Sequence, residues 1–156
     1  MFTSARSAQV AVNGDTMNYL VFGKGPKTLV ILPGLGDGLT PVHGQFQAFA
    51  FAFSYRRIAR HFKVYLFSRK NMIPKDYTIA DMADDQALAM KALGIKAAAI
   101  LGVSQGGMIA QYLAIDYPKL VSRLVLALTT AQPGQTTRAT LQSWIHMAKQ
   151  SDYSGL

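Results

Sequence analysis

The sequence predicts an α/β fold: a mainly parallel sheet with crossover helices. Three observations lead there. Short apolar runs alternate with helix-length stretches along most of the chain, the pattern of parallel strands joined by helices. Thr28–Leu32 is an unbroken apolar run ended by Pro33-Gly34, as expected of a strand buried on both faces. A second apolar run, Ala97–Leu101, leads directly into Gly102-Val103-Ser104-Gln105-Gly106-Gly107, where small residues flank a serine at the apex of a tight strand-to-helix turn.

Taken in order, Ala8–Val12 and Met17–Phe22 read as strands separated by Asn13-Gly14-Asp15-Thr16. Asn-Gly is a strong hairpin signal, so this pair is expected to be antiparallel. The strand Thr28–Leu32 is followed by a Gly-rich loop, a helical stretch over Gln45–His61 and a strand at Val64–Phe67. Thr78 opens the next helix, with Asp81 placed for a capping box. Ile79, Met82, Ala83, Leu88 and Leu93 form its apolar stripe, and Gly94 ends it. After the strand Ala97–Leu101 come a helix over Gln105–Tyr117, stopped by Pro118, and a strand at Arg123–Leu128. A last helical stretch, Thr137–Gln150, carries Trp144. Internal repeats and low-complexity tracts are absent from the sequence.

At 156 residues, half of them apolar, the chain can bury one core, so it is one globular domain or part of one. The sequence has no cysteine, which excludes disulfides, thiolate zinc sites and cysteine nucleophiles. With no signal-peptide-like apolar stretch at the N-terminus, a reducing, cytoplasmic location is expected. No run reaches the roughly 20 apolar residues that span a bilayer, so no membrane partner is expected. The net charge of +8 comes from 16 Lys and Arg against 8 acids, all of them Asp. Such a balance can signal nucleic acid. Here the basic residues are scattered, apart from Arg56-Arg57-Ile58-Ala59-Arg60-His61-Phe62-Lys63, whose helix-like spacing reads as a solvated face. No nucleic-acid motif accompanies them, so no nucleic acid is expected as a partner.

The order of parts resembles the α/β-hydrolase superfamily. The resemblance rests on the N-terminal hairpin, the strand ending in Pro33-Gly34-Leu35-Gly36-Asp37-Gly38, the helix opening with Tyr77-Thr78-Ile79-Ala80-Asp81-Met82, and Leu101-Gly102-Val103-Ser104-Gln105-Gly106-Gly107 leading into a helix closed by Asp116-Tyr117-Pro118. It covers roughly residues 8–132. On this basis residues 1–132 are expected to be the N-terminal part of the core. Residues 133–156 would begin a helical lid, so that the chain is truncated after the sixth strand.

The resemblance implies a serine nucleophile at Ser104, at the apex of a nucleophile elbow. A free serine hydroxyl attacks poorly and needs a base to accept its proton. It also implies an oxyanion hole built from two main-chain N–H groups, those of Leu35 and Gln105. The second lies at a helix N-terminus, where the helix field favours negative charge. Many relatives carry histidine where Pro33 stands, a departure of little weight because the donors are main-chain groups. A dinucleotide fingerprint in the same loop would need glycine at 39, where Leu39 stands, and an acid about 20 residues on, where none occurs. No cofactor and no metal are expected.

The superfamily's chain order puts an acid and then a histidine after the serine. Here Thr129-Thr130-Ala131-Gln132 offers no acid and Asp152 lies in the lid-like segment. His43 follows the oxyanion loop, His61 ends a helix and His146 belongs to the lid-like helix, and none is expected to be the base. The expected function is therefore hydrolysis of an ester, amide or related acyl bond in a small-molecule substrate, with acid and base downstream of this chain and the 156 residues alone inactive. The alternative is a non-catalytic truncated relative that binds a small acyl ligand or a partner protein. The apolar strand Arg123–Leu128 would leave an open sheet edge, through which a dimer is expected.

Overall fold

The computed structural model describes residues 5–36 and 44–151. The expected positions Asp37, Gly38, Leu39, His43 and Asp152 lie outside the described residues. Six strands form one sheet: β1 (Arg6–Val12), β2 (Asp15–Phe22), β3 (Lys27–Leu32), β4 (Phe62–Lys70), β5 (Ala98–Val103) and β6 (Val121–Ala127). Their spatial order is β1-β2-β4-β3-β5-β6. The hairpin β1–β2 and the pair β2–β4 are antiparallel, whereas β4–β3, β3–β5 and β5–β6 are parallel. The fold is thus a mixed, mainly parallel α/β sheet, as the sequence predicts.

Asn13 and Gly14 both take positive φ, at 48° and 75°. That is the requirement of a two-residue hairpin whose twist matches its strands. Between β3 and β4 run α1 (Gln45–Ser54) and the single turn α2 (Arg56–Ala59). The continuous helix expected over Gln45–His61 is interrupted at Tyr55, whose backbone leaves the helical region at φ −95°, ψ 19°. The break lets Tyr55 pack against Phe22 and Phe51 on one sheet face.

The helix α3 (Ile79–Ala92) starts at a capping box. The Thr78 side chain accepts from the Asp81 N–H, and the Asp81 carboxylate accepts from the Thr78 N–H. It ends in paired reversed bonds, Gly94 N–H to Lys91 O and Ile95 N–H to Met90 O, with Gly94 at φ 69°. Its buried face differs from the expected stripe. Leu88 is exposed, while Met82, Ala83, Asp85, Gln86, Ala87 and Met90 are buried. After β5 come α4 (Gln105–Asp116), a 3-10 turn at Pro118–Leu120, β6 and α5 (Gln135–Lys149).

Strand alternation divides the core between the two faces. Val30 and Leu32 of β3 with Tyr65 and Phe67 of β4 face α3 and α4. Leu29 and Ile31 with Val64 and Leu66 face α1. The antiparallel strands contribute on the same principle, Met17 and Tyr19 to one side and Leu20 and Phe22 to the other. β6 is different: its central residues are exposed, and no residue of α5 is buried.

Candidate active site

From β3 the chain goes to β4 on one side, then returns to β5 on the other. In a parallel sheet this reversal opens a crevice beyond the strands' carboxyl ends, where ligands bind. The loop after β3 and the turn after β5 meet there.

Ser104 is the single residue between β5 and α4, with φ 52° and ψ −120°. A non-glycine residue in this region costs on the order of 1–3 kcal/mol and persists only where its surroundings hold it. Three bonds do so. Its N–H donates to Ala127 O at 3.0 Å, and its carbonyl accepts from Gly107 N–H at 2.9 Å and from Thr129 Oγ1 at 2.7 Å. The neighbours are small because there is no room for side chains. A Cβ on Gly102 would lie 2.6 Å from Gly106 O, one on Gly106 2.0 Å from Leu32 O, and one on Gly107 2.5 Å from Thr129 Cγ2. Ser104 itself is exposed, and its hydroxyl makes no capping bond to the helix it begins.

The loop after β3 approaches it closely. A Cβ on Gly34 would be 3.4 Å from Ser104 Cβ and 3.9 Å from its Oγ. Leu35, next in the chain, is exposed. Gln105 is the first residue of α4, so its N–H belongs to the first turn and has no partner within the helix. Of the expected histidines, His61 directly precedes β4, at the amino ends of the parallel strands and so across the sheet from Ser104. His146 lies exposed on α5. The structure brings Ser104, Gly34 and Gln105 together and brings no described histidine to them through a hydrogen bond.

Sequence reading missed Arg69. The strand β4 runs to Lys70, past the apolar run Val64–Phe67, and carries Arg69 into the interior at 2% exposure. Its Nη2 donates to Pro33 O at 2.9 Å and to Gln105 Oε1 at 3.1 Å. Burial pulls the guanidinium down to about 10, so it is charged at neutral pH. No motif flagged it, because an arginine after an apolar run reads as a strand's solvated end.

Beside it lies a second network. Asp85 of α3, also buried, accepts from Asn13 Nδ2 at 2.6 Å and from the Tyr77 hydroxyl, and pairs with Lys70 Nζ at 3.1 Å. Desolvation first, and then Asp85, push the Tyr77 phenol far above its ordinary value. Among the described residues no cluster of His, Asp or Glu could hold a metal, and no helix is long and apolar enough to cross a membrane.

Comparison with known proteins identifies the fold family. Residues 27–153 match the family model described as alpha/beta hydrolase fold. The mouse serine hydrolase BPHL is 35% identical over 127 residues, which are 80% of this chain and 43% of that protein. The chain thus spans less than half the length of this curated relative. The crystal structure of a hydrolase from Pseudomonas aeruginosa PA01 superposes with a TM-score of 0.71 at 26% identity, over 87% of this chain and 51% of that one. The epoxide hydrolase CorEH shares the fold, with a TM-score of 0.70 at 19% identity, over 90% of this chain and 50% of that one.

Proposed function

This chain belongs to the alpha/beta hydrolase fold family, and on that premise we propose that it is the N-terminal part of a serine hydrolase acting on an ester, amide or related acyl bond of a small molecule. Ser104 is the nucleophile, and the main-chain N–H groups of Leu35 and Gln105 form the oxyanion hole. The histidine and acid come from sequence downstream of residue 156, and residues 133–156 begin the lid. The observation that carries this reading is Ser104 itself: an exposed hydroxyl held at φ 52° on the strand-to-helix turn, beside the Gly34 backbone.

The chemistry follows from that placement. The Ser104 Oγ–carbon bond forms as the carbonyl π pair moves onto oxygen, while the hydroxyl proton passes to the histidine. The tetrahedral oxyanion is held by the two N–H groups, each contributing on the order of 3–4 kcal/mol. Collapse restores the carbonyl and expels the leaving group, which takes the proton. Water then repeats the sequence and frees the acid. The same acyl-enzyme would pass its acyl group to another acceptor if one replaced water.

A fluorophosphonate probe tests the reading. In the complete protein it should label Ser104, and Ser104→Ala should abolish both labelling and turnover. Labelling that survives the substitution refutes the assignment. The isolated 156 residues should be inactive toward p-nitrophenyl acetate, for want of a partnered histidine.

A further inference from the structure

We infer that Arg69 is a positioning residue that locks the two halves of the oxyanion hole in register through one guanidinium nitrogen. The inference rests on the serine reading above and adds to it a residue outside the nucleophile and its two donors.

The two proposed donors arrive on separate segments. The Leu35 N–H lies on the loop after β3 and the Gln105 N–H on the first residue of α4. Nothing in the local sequence of either segment fixes its distance from the other. Arg69 Nη2 bonds both, at 2.9 Å to the carbonyl of Pro33, two residues before Leu35, and at 3.1 Å to the side chain of Gln105. Arg69 is well placed to do this because it stands near the end of β4, the neighbour of β3, and points inward beneath both loops. An oxyanion hole works only when its donors are preset to within a fraction of an ångström, so a tether common to both segments acts on the transition state.

The cost of the arrangement argues that it is functional. A charged guanidinium is expensive to bury, and Arg69 Nε and Nη1 are buried without a hydrogen-bond partner among the described residues. Buried donors without partners call for an explanation. Here the one nitrogen with partners is the one that joins the two loops.

The test uses the complete protein and fluorophosphonate inactivation, with p-nitrophenyl acetate turnover as a second readout, all per titrated active site. Arg69→Met should lower the maximal inactivation rate and kcat together by about 30-fold, with KM within threefold. Arg69→Lys, which keeps the charge, should recover most of the loss. Gln105→Leu should lower the same rates about fivefold, and the double variant Arg69→Met with Gln105→Leu should be no slower than Arg69→Met alone. If Arg69→Met fails to fold, Gln105→Leu, which cuts the same tether from the other side, decides the question. A residue that merely supports the fold would change the melting temperature and the fraction of active sites, leaving the rate per site unchanged. A rate per site within twofold of wild type in Arg69→Met or in Gln105→Leu, or losses that simply multiply in the double variant, would overturn the inference. Activity that survives Ser104→Ala would refute the serine reading itself, a result distinct from a Ser104-dependent enzyme indifferent to Arg69.

Discussion

The Thr129 hydroxyl donates to the Ser104 carbonyl at 2.7 Å. This ties the loop leaving β6 to the strained residue at the end of β5. Ser104 N–H in turn bonds Ala127 O, so β6 and its loop hold Ser104 through the peptide groups on both sides of it. Thr129→Val keeps the side chain's shape and removes the donor. It should cost about 1 kcal/mol of stability, read by urea denaturation, and should slow fluorophosphonate labelling of the complete protein. Unchanged stability and labelling would mean that the turn is held without Thr129.

The glycine at 106 should tolerate no side chain. A Cβ there would lie 2.0 Å from Leu32 O and 2.5 Å from Pro33 O, both main-chain atoms at the carboxyl end of β3. Gly106→Ala should therefore destabilise by more than about 3 kcal/mol, in the upper range for single substitutions. Gly106→Val should leave no folded protein. A Gly106→Ala variant with the wild-type unfolding midpoint would contradict the close approach of α4 to β3.

Backbone strain at Ser104 predicts an asymmetry between two substitutions. Ser104→Gly relieves the positive φ and should stabilise by about 1 kcal/mol. Ser104→Ala keeps the strain and should be within about 0.5 kcal/mol of wild type. Both should lose labelling. Equal stabilities for the two variants would argue against a strained turn.

Tyr77 gives a pH dependence of known sign. Its folded pKa lies above the ordinary value of 10.0, through desolvation and its bond to Asp85. The folded state therefore holds the phenolic proton more tightly than the unfolded chain does. The resulting stability is fully present below about pH 10 and is lost as the pH rises beyond it. Tyr77→Phe should flatten this alkaline decline in denaturation curves measured from pH 8 to 11, whereas a decline as steep as in wild type would assign it to other groups.

The edge strand β6 should drive self-association of the 156-residue chain. Leu124, Val125 and Leu126 are exposed along it, Val125 at 54%, with Arg123 as its single charge, and a mostly apolar edge invites pairing. Light scattering should find a dimer or larger species, and Val125→Lys should shift it towards monomer. A monodisperse wild-type monomer would show that this edge is not adhesive.

The elements were legible where local physics decides them. Asn13-Gly14 marked the hairpin because few other pairs tolerate two positive φ angles, and Thr78 with Asp81 marked a helix start because the two side chains satisfy each other's backbone. Gly102, Ser104, Gly106 and Gly107 marked the turn because their spacing encodes its crowding. The break at Tyr55 was not legible, since its cause is packing against Phe22, 33 residues away. Nor was the polar side of α3, where Leu88 turns outward while Asp85 meets Asn13 and Lys70. Above all, Arg69 carries no local signal: its partners are Pro33 and Gln105, each 36 residues distant. The sequence by itself determined the order of strands and helices and the turn that presents Ser104, because hydrophobic period, capping and glycine sterics act between near neighbours. Only the tertiary structure decided which buried charge lies beneath that turn, because strand order, which sets β4 beside β3 and β3 beside β5, is a property of the whole sheet.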